Sequence, residues 1–269
     1  MASSVAITGA GRGIGYAFLT HYAAQPDTKV FGIVRNKEAA ESKLANDGIT
    51  NVTLVEADIT DFKALQKAAD EVSKITGGSL DLLINNAGIA GNLPFDIVSD
   101  IPPNDLGDDL LTTFQTNVVG VAYTTNTFLP FIRKGQWKKV ITISSGLADD
   151  VLTNQYSLDM NGPYSISKAA TNTLVAKYNA ALGKTEGILF LALSPGVVST
   201  DMNAPSDMSE KDMARMQKMG AKFAQYAPHF TGPISPQESV SMMVEVINRA
   251  TVETMGGGFL SHFGNKQWL

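Results

Sequence analysis

The chain has 269 residues, of which 44% are hydrophobic and 17% charged, with a formal net charge of −5 and no cysteine. The acidic balance argues against a nucleic-acid-binding surface, and the lack of cysteine excludes disulfides, thiolate zinc sites and cysteine nucleophiles. No apolar run approaches the roughly 20 residues that span a bilayer, and no basic segment precedes the first predicted strand, so we expect a cytoplasmic protein without a membrane partner.

The first predicted unit is a strand, a glycine-rich turn and a helix. An apolar strand over residues 4–7 is followed by the pattern Thr-Gly-x3-Gly-x-Gly, with Gly9, Gly13 and Gly15. This layout can place a helix N-terminus against a phosphate, and glycine lets the backbone approach a pyrophosphate closely. The alternative is an ordinary glycine-rich turn, because the spacing is not Gly-x-Gly-x-x-Gly.

Basic residues follow the second predicted strand, residues 29–34. A dinucleotide site for NAD would place Asp or Glu here to hold the ribose hydroxyls, whereas this chain has Arg35. A guanidinium holds a 2′-phosphate through charge-assisted hydrogen bonds, and Arg12 in the glycine turn can reach the same group. The pattern predicts NADP(H) as the cofactor, and the alternative is a solvated basic loop.

The third and fourth predicted strands, residues 51–56 and 80–84, also end in polar residues. Asp58 either accepts a hydrogen bond from an adenine amino group or caps the helix that starts at Asp61. The sequence Asn85-Asn86-Ala87-Gly88 follows the fourth strand, where side chains of a buried parallel sheet line the ligand crevice. Its alternative role is a turn with satisfied hydrogen bonds.

Later elements continue the alternation of strands and helices. We predict a helix over residues 105–132, strands at 187–193 and 256–260, and a last helix at 237–250. Asn117 in the long helix either distorts it and holds a water or faces solvent, since Asn is a mediocre helix residue. The alternation predicts an α/β fold in one domain: a doubly wound parallel sheet with helices on both faces.

A tyrosine and a lysine are candidates for acid chemistry. Tyr164 and Lys168 stand one helical turn apart on one face, and a predicted strand at residues 140–144 ends beside Ser145. We expect Lys168 to lower the pKa of Tyr164, so that the phenol can pass a proton to a carbonyl oxygen near neutral pH. The alternative is a solvated helix face.

Two stretches, residues 146–163 and 202–233, do not fit the alternation. Ser209 and Asp212 predict a capped helix in the second stretch. Five large apolar side chains then follow at helical spacing: Met213, Met216, Met219, Phe223 and Tyr226. We interpret residues 202–233 as a lid whose apolar face suits an apolar or aromatic substrate; alternatively this face packs on its own core or on a neighbouring subunit.

The order of these motifs resembles the classical short-chain dehydrogenases/reductases over essentially the whole chain. The residues that carry the resemblance are Gly9, Gly13, Gly15, Asn85-Asn86-Ala87-Gly88, Asn117, Ser145, Tyr164, Lys168 and Pro195-Gly196. The basic residues near Arg35 and the ending Gly257 to Trp268 look most like the carbonyl-reductase branch that includes sniffer and C-factor-like proteins. The resemblance implies a Rossmann sheet of about seven strands in the order 3-2-1-4-5-6-7.

The resemblance also implies roles for the site residues. Tyr164 would be the general acid, Lys168 would bind the nicotinamide ribose, Ser145 would hold the substrate oxygen, and Asn117 would hold a water. NADP(H) is expected to contact the residues Gly9, Arg12, Gly13, Ile14, Gly15, Arg35, Asp58, Ile59, Asn85, Ala87, Gly88, Tyr164, Lys168, Pro195, Gly196, Val198 and Thr200. Ser145 stands 19 residues before Tyr164, farther than in other members, so Ser144 remains the alternative serine.

The leading hypothesis is therefore an NADPH-dependent reductase of a ketone, aldehyde or quinone, acting as a homodimer or homotetramer. A second hypothesis is a cofactor-sensing or scaffold protein on the same fold, although Tyr164 and Lys168 are both retained. A hydrolase is disfavoured, because the three histidines lack a serine-elbow context and no carboxylate pair stands out. No residue pattern predicts a metal site.

Overall fold

One parallel sheet runs through the part of the chain that the computed structural model describes, which is residues 3–93, 96, 98–200 and 209–269. Its strands are β1 Ser3–Thr8, β2 Thr28–Val34, β3 Val52–Glu56, β4 Leu82–Asn85, β5 Lys139–Ile143, β6 Leu189–Ser194 and β7 Phe259–Ser261. All neighbouring strands pair in parallel, in the order β3-β2-β1-β4-β5-β6-β7. The predicted Rossmann topology is confirmed.

Helices connect the strands and cover both faces of the sheet, forming a single α/β domain. They are α1 Gly13–Ala23, α2 Lys37–Asn46, α3 Phe62–Thr76, α4 Pro103–Phe114, α5 Gly120–Ile132, α6 Asp150–Tyr156, α7 Gly162–Tyr178, α8 Lys184–Glu186, α9 Glu210–Tyr226, α10 Pro236–Arg249 and α11 Val252–Met255. The start of α10 matches the sequence prediction within one residue, because Ser235 and Glu238 form a capping box around Pro236.

The core has one layer on each face of the sheet. On one face, α1 and α10 pack against the strands through side chains such as Phe18 and Met243. On the other face, α3, α5 and α7 pack through side chains such as Leu65, Phe128 and Val175. The strands are continuous apolar runs because both faces are covered, and all six residues of β6 are buried.

The predicted helix over residues 105–132 is interrupted at its middle. α4 and α5 are joined by a wider helical turn, Gln115–Val119, which contains Asn117. Wide turns of this kind inside helices often mark functional sites. Distortion at Asn117 was one of the two readings of the sequence, and the turn supports it.

The stretch at residues 146–163 contains a helix that the sequence analysis did not predict. The side chain of Asp149 caps α6 by accepting a hydrogen bond from Leu152 N at 2.8 Å, and Ser157 ends the helix in a left-handed conformation. The helix is short, so its apolar spacing was too brief to recognise.

The predicted helix after Ser209 is present as α9, with a capping box between Ser209 and Asp212. Residues 202–208 of the predicted lid lie outside the described residues. In the described ranges, no helix combines the length and hydropathy that crossing a bilayer requires.

Candidate active site

Tyr164 and Lys168 lie at the start of α7, against the carboxyl end of β5. Lys168 is 5% exposed, and its Nζ donates a hydrogen bond to the carbonyl oxygen of Ile143 at 2.8 Å. The same Nζ lies 5.7 Å from the centre of the Tyr164 ring. The alternative of a solvated helix face is therefore wrong for Lys168.

Burial moves the pKa values of both residues towards the neutral forms. It lowers the pKa of Lys168 to about 8. The Tyr164 side chain keeps partial exposure, but desolvation by its surroundings raises the pKa of the phenol, and a hydrogen bond with the Ser145 side chain acts in the opposite direction. The expectation that Lys168 brings the Tyr164 pKa below its ordinary value is corrected, since desolvation is the larger effect. Tyr164 therefore carries its proton at neutral pH.

The two candidate serines have different partners. Ser144 is 1% exposed, and its hydroxyl bonds Oδ1 of Asn172 at 2.6 Å. Ser145 is half-buried and turned towards the Tyr164 phenol, with its Oγ also accepting from Leu147 N at 3.3 Å. Of the two, Ser145 is the serine beside the tyrosine.

Asn117 is fully buried and holds the backbone that follows β4. Its Oδ1 accepts from Ile89 N, and its Nδ2 donates to Ile89 O and to Ser167 Oγ, each at 2.9 Å. The alternative that Asn117 faces solvent is wrong. Its main-chain carbonyl accepts from the Thr171 hydroxyl at 2.8 Å, so α7 is bound to the wide turn at this point.

Gly88 lies where Asn117 and Lys168 converge. A Cβ at this position would come within 2.9 Å of Asn117 Oδ1 and 3.4 Å of Lys168 Nζ. Since real Cβ atoms do not come within 3.0 Å of another heavy atom, a larger residue would displace the Asn117 amide, while it would be in ordinary contact with the Lys168 ammonium. The glycine therefore sets the spacing of the site.

The glycine-rich turn after β1 is folded tightly against the end of β4. Gly9 has φ +65° and Gly13 has φ +53°, which favour glycine. A Cβ on Gly15 would lie 2.2 Å from Gly9 O and 2.4 Å from Asn86 Nδ2. The spacing of these glycines thus follows from close packing, and it leaves the start of α1 open beside the turn.

Of the adjacent asparagines, Asn86 and not Asn85 bonds this turn. Asn86 Nδ2 donates to Thr8 O at 3.0 Å and to Gly9 O at 3.2 Å, and the Thr8 hydroxyl accepts from the backbone N–H of Asn86 and Ala87. Asn85 is 2% exposed and donates to the Thr125 hydroxyl at 3.0 Å. The Asn85 side chain therefore points into the core, and a contact of Asn85 with the cofactor stays a prediction. Thr8 and Asn86 were missed, because adjacent strand residues point to opposite faces and the sequence did not show which face is the crevice.

At the outer end of the crevice, Arg35 and Arg12 are exposed. Arg35 and Asp58 border a cavity of about 620 Å³ that also reaches α3. Asp58 Oδ1 accepts from the backbone N–H and hydroxyl of Thr60 at 2.8 and 2.7 Å, while Asp61 caps α3. The reading of Asp58 as the helix cap is therefore wrong.

The side chain of Ile59, which was predicted to contact the cofactor, packs elsewhere. It is 6% exposed and lies against Gly120, where a Cβ would come within 2.8 Å of its Cδ1. Apolar packing against α5 buries this side chain, and a contact of Ile59 with the cofactor stays a prediction.

The turn after β6 approaches the crevice from the other side. Gly196 has φ +81°, and a Cβ there would lie 2.8 Å from the His262 ring. Pro195 O accepts from the Ser239 hydroxyl at 2.7 Å, Val198 pairs with Ile234, and Thr200 lies beside Gly13.

His262, which packs on this turn, was not expected near the site. It is 4% exposed, and burial lowers its pKa to about 4, so the ring is neutral at physiological pH. The sequence does not predict this contact, because Gly196 and His262 are 66 positions apart along the chain.

An apolar cavity of about 440 Å³ adjoins the start of α7. Its lining comes from the segments that carry the candidate catalytic groups and from α6 and its neighbours: Val98, Ser99, Leu147, Thr153, Leu158, Asp159, Met160, Gly162, Ser165 and Ile166. Few polar atoms face this space, so it suits an apolar molecule.

The apolar face predicted for α9 divides into two parts. Met213 is 51% and Met216 39% exposed. Met219, Phe223 and Tyr226 instead pack with Leu152, Leu158, Met160 and Trp268 in a third, smaller core. Packing on the protein's own core, the alternative given above, holds for this second part.

In the portion of the chain that the structure describes, no group of acidic or histidine side chains could hold a metal ion.

Comparison with known proteins agrees with this geometry. The family model for "short chain dehydrogenase" matches residues 3–211. The short-chain dehydrogenase/reductase AacuF of Aspergillus aculeatus is 54% identical over 267 residues, which are 99% of this chain and 99% of the relative.

Solved structures of carbonyl reductases share the fold. The NADPH-bound carbonyl reductase from chicken fatty liver is 27% identical with a TM-score of 0.77, and the match covers 98% of both chains. The carbonyl reductase Sniffer of D. melanogaster is 24% identical with a TM-score of 0.77, again over 98% of both chains. The fold of this chain is thus shared with these two proteins over nearly their whole length.

Proposed function

This chain belongs to the short-chain dehydrogenase/reductase family, and we propose that it is an NADPH-dependent reductase of a ketone, aldehyde or quinone. The family makes the protein an oxidoreductase. The observation that carries the finer proposal is the meeting of Ser145, Tyr164 and Lys168 at one end of β5. These are a hydroxyl, a phenol and an amine at the carboxyl edge of the sheet, where such folds bind nucleotides.

The proton in this reaction comes from Tyr164. NADPH, when bound, supplies the hydride. Because burial raises its pKa, the phenol is protonated at neutral pH and can donate to the carbonyl oxygen as negative charge develops there. The Ser145 hydroxyl can donate a hydrogen bond to the same oxygen and so stabilise the negative charge that develops there.

Lys168 places a positive charge close to the Tyr164 ring. Its hydrogen bond to Ile143 O fixes the ammonium at the end of β5. Below a pH of about 8 the residue is a cation, which stabilises the tyrosinate left after proton transfer. Asn117 holds the Gly88–Ile89 backbone in the position that this spacing requires, and a water relay through Asn117 remains part of the proposal.

The crevice fits a dinucleotide phosphate. The turn at Gly9, Gly13 and Gly15 brings the backbone close to the start of α1, where a pyrophosphate is favoured by the helix dipole. Arg35 and Arg12 are exposed at the adenosine end and would hold a 2′-phosphate. The NADPH named for the chicken carbonyl reductase supports the same cofactor here.

The substrate that we propose is apolar or aromatic. The cavity beside α7 is lined by Leu147, Leu158, Met160 and Ile166, and Leu147 stands two residues after Ser145. A substrate with one carbonyl group on a flat apolar ring system would match an apolar cavity that has the Ser145 hydroxyl beside it.

We also propose that the chain is a cytoplasmic homodimer or homotetramer. Large apolar side chains are exposed on α4, where Leu111 is 71% and Phe114 43% exposed. A second copy covering this face would bury them. Light scattering that gives the mass of one chain at micromolar concentration would contradict the assembly.

Substitution of Tyr164 tests the proposed function. We expect Tyr164→Phe to lower kcat by at least about 100-fold, the usual contribution of a positioned general acid, while NADPH binding stays within about threefold. The assay follows NADPH oxidation with 9,10-phenanthrenequinone, acetophenone and benzaldehyde, and NADPH affinity is measured by fluorescence.

Tyr178→Phe is the matched control, because Tyr178 is also on α7 and its hydroxyl donates to Asn126 at 2.9 Å, away from the crevice. It should retain turnover. Undiminished activity of Tyr164→Phe would remove Tyr164 from the reaction. Tight NADPH binding by the native protein, without turnover of any carbonyl compound in a broad panel, would favour the cofactor-sensing alternative.

A further inference from the structure

Trp268 packs directly behind the strand tip that carries Ser145. The indole is 3% exposed and stacks on Phe259 of β7, with ring centres 4.4 Å apart and planes inclined by 21°. A Cβ on Gly146 would come within 2.9 Å of Trp268 Cβ and 3.1 Å of its Cγ. The backbone next to Ser145 therefore rests on the indole, at a distance that only glycine allows.

The segment that presents Trp268 is held by its own hydrogen bonds. Ser261 Oγ bonds Asn265 Oδ1 at 3.0 Å, and Gln267 N donates to the same oxygen at 2.8 Å. Lys266 Nζ lies 4.8 Å from the Phe259 ring centre and 5.2 Å from the Trp268 ring centre. These contacts fix the indole relative to β7 without help from a ligand.

Trp268 also contacts α9. Its backbone N–H donates to the Tyr226 hydroxyl at 3.0 Å, and the Tyr226 ring meets Tyr156 of α6 edge-on at 5.2 Å. The residues between Ser145 and Tyr164 therefore pack against Trp268 and α9. This packing fixes the conformation of the long segment that separates the serine from the tyrosine.

We propose that Trp268 is a positioning residue that holds the Ser145 hydroxyl against the Tyr164 phenol. The Ser145 Oγ already accepts from Leu147 N, so its direction depends on the backbone of residues 145–147, and that backbone is supported at Gly146 by the indole. The catalytic consequence rests on the proposed function, whereas the contact between Ser145 and Tyr164 does not.

A spectroscopic measurement tests the positioning without turnover. In protein labelled with 13Cζ-tyrosine, the Tyr164 resonance is identified by its loss in Tyr164→Phe. Ser145→Ala removes the hydroxyl beside the phenol and should shift this resonance. Trp268→Ala should shift it in the same direction, Trp268→Phe should restore most of the native position, and adding Trp268→Ala to Ser145→Ala should shift it no further.

Kinetics supply the second readout. We expect Trp268→Ala to lower kcat at least about fivefold with NADPH KM nearly unchanged, as expected when an oriented hydrogen bond is lost. In the Ser145→Ala background the same substitution should lower kcat less than about twofold, because residues acting through one contact are non-additive.

Two controls separate positioning from general packing. Phe18→Leu removes part of a fully buried aromatic residue of α1, in the core layer on the face of the sheet opposite α7, and should lower the melting temperature without moving the Tyr164 resonance. If Trp268→Ala does not fold, Gly146→Ala takes its place, since the added methyl group must displace the indole or the strand tip. It should then reproduce the shift.

The outcomes distinguish the two proposals. A shifted resonance in a protein without carbonyl turnover upholds the positioning role and contradicts the proposed function. Turnover with an unmoved Tyr164 resonance in both Trp268→Ala and Gly146→Ala overturns the positioning role and leaves the proposed function intact. Fully multiplicative kcat losses in the double variant also overturn it.

Discussion

At the residue scale, the site depends on small differences between neighbours. Ser144 and Ser145 are adjacent, yet one bonds Asn172 in the core and the other reaches Tyr164. Asn85 and Asn86 differ in the same way, one bonding Thr125 and the other the glycine turn. Each strand end presents successive side chains to opposite faces, so only one of each pair can serve the crevice.

Arg35 provides the prediction at this scale, for cofactor choice. Arg35→Asp should change the ratio of the KM values for NADPH and NADH at least about tenfold in favour of NADH, because a charge-assisted hydrogen bond to phosphate is replaced by repulsion. Steady-state kinetics with both cofactors measure the ratio. Lys37→Asp is the control, since Lys37 instead pairs with Glu41 at 3.9 Å on α2. An unchanged ratio in Arg35→Asp would mean that another residue holds the phosphate.

At the element scale, ion pairs hold α9 at two points near the apolar cavity. Arg215 pairs with Asp96 and, at 2.9 Å, with Asp100. Lys222 pairs with Asp159 at 2.8 Å on the other side. Asp100 and Asp159 flank or line the apolar cavity, next to Val98 and Met160, so α9 determines how the cavity walls are held.

Loosening these ion pairs should affect the substrate more than the cofactor. We expect Arg215→Ala to raise the KM for an aromatic ketone about threefold or more, with NADPH KM changed less than about twofold. Lys211→Ala is the control, because this exposed lysine lies 3.6 Å from the same Asp96 carboxylate. Equal effects on both KM values would show that α9 does not act through the cavity.

These ion pairs also have a defined pH dependence. Arg215 lowers the pKa of Asp96 below its ordinary value. A carboxyl whose pKa is lower in the folded state stabilises that state above its unfolded pKa, and the stabilisation is lost as pH falls through the folded value. The pair is therefore intact at neutral pH and weakens only in acid.

At the scale of the whole molecule, the two ends of the strands have different functions. The crevice lies at the carboxyl ends of the strands. At their amino ends, Asp81, which is 6% exposed, connects several segments. One carboxylate oxygen accepts from the backbone N–H and hydroxyl of Ser4 at 2.8 and 3.0 Å, and the other accepts from Gln136 N at 2.6 Å. This carboxylate joins β1, β4 and the turn before β5.

Removing that junction should affect stability and not chemistry. We expect Asp81→Ala to lower the free energy of unfolding by about 3 kcal/mol, the loss of several charge-assisted hydrogen bonds to buried groups, while kcat of the folded protein stays within about twofold. Urea unfolding and NADPH oxidation measure the two quantities. Asp70→Ala, on the exposed side of α3, should cost less than about 0.5 kcal/mol. A kcat loss that exceeds the loss of folded protein would contradict this division.

Local patterns in the sequence determined most of the architecture. Apolar runs and glycine punctuation predicted the seven strands and their parallel arrangement, and capping residues predicted the starts of α9 and α10, because these features depend on neighbours within one or two turns. The spacing of Tyr164 and Lys168 likewise follows from the helical repeat. The short α6 was missed because one or two turns provide too little periodicity.

Tertiary structure alone decided what the local patterns leave open. It selected Ser145 over Ser144 and Asn86 over Asn85, buried Ile59, and raised the pKa of Tyr164 where proximity to Lys168 predicted the reverse. It also brought His262 to Gly196 and Trp268 to Gly146. These results depend on burial and on contacts between residues far apart in the chain. Desolvation and packing are properties of the assembled fold, and the order of residues along the chain does not specify them directly.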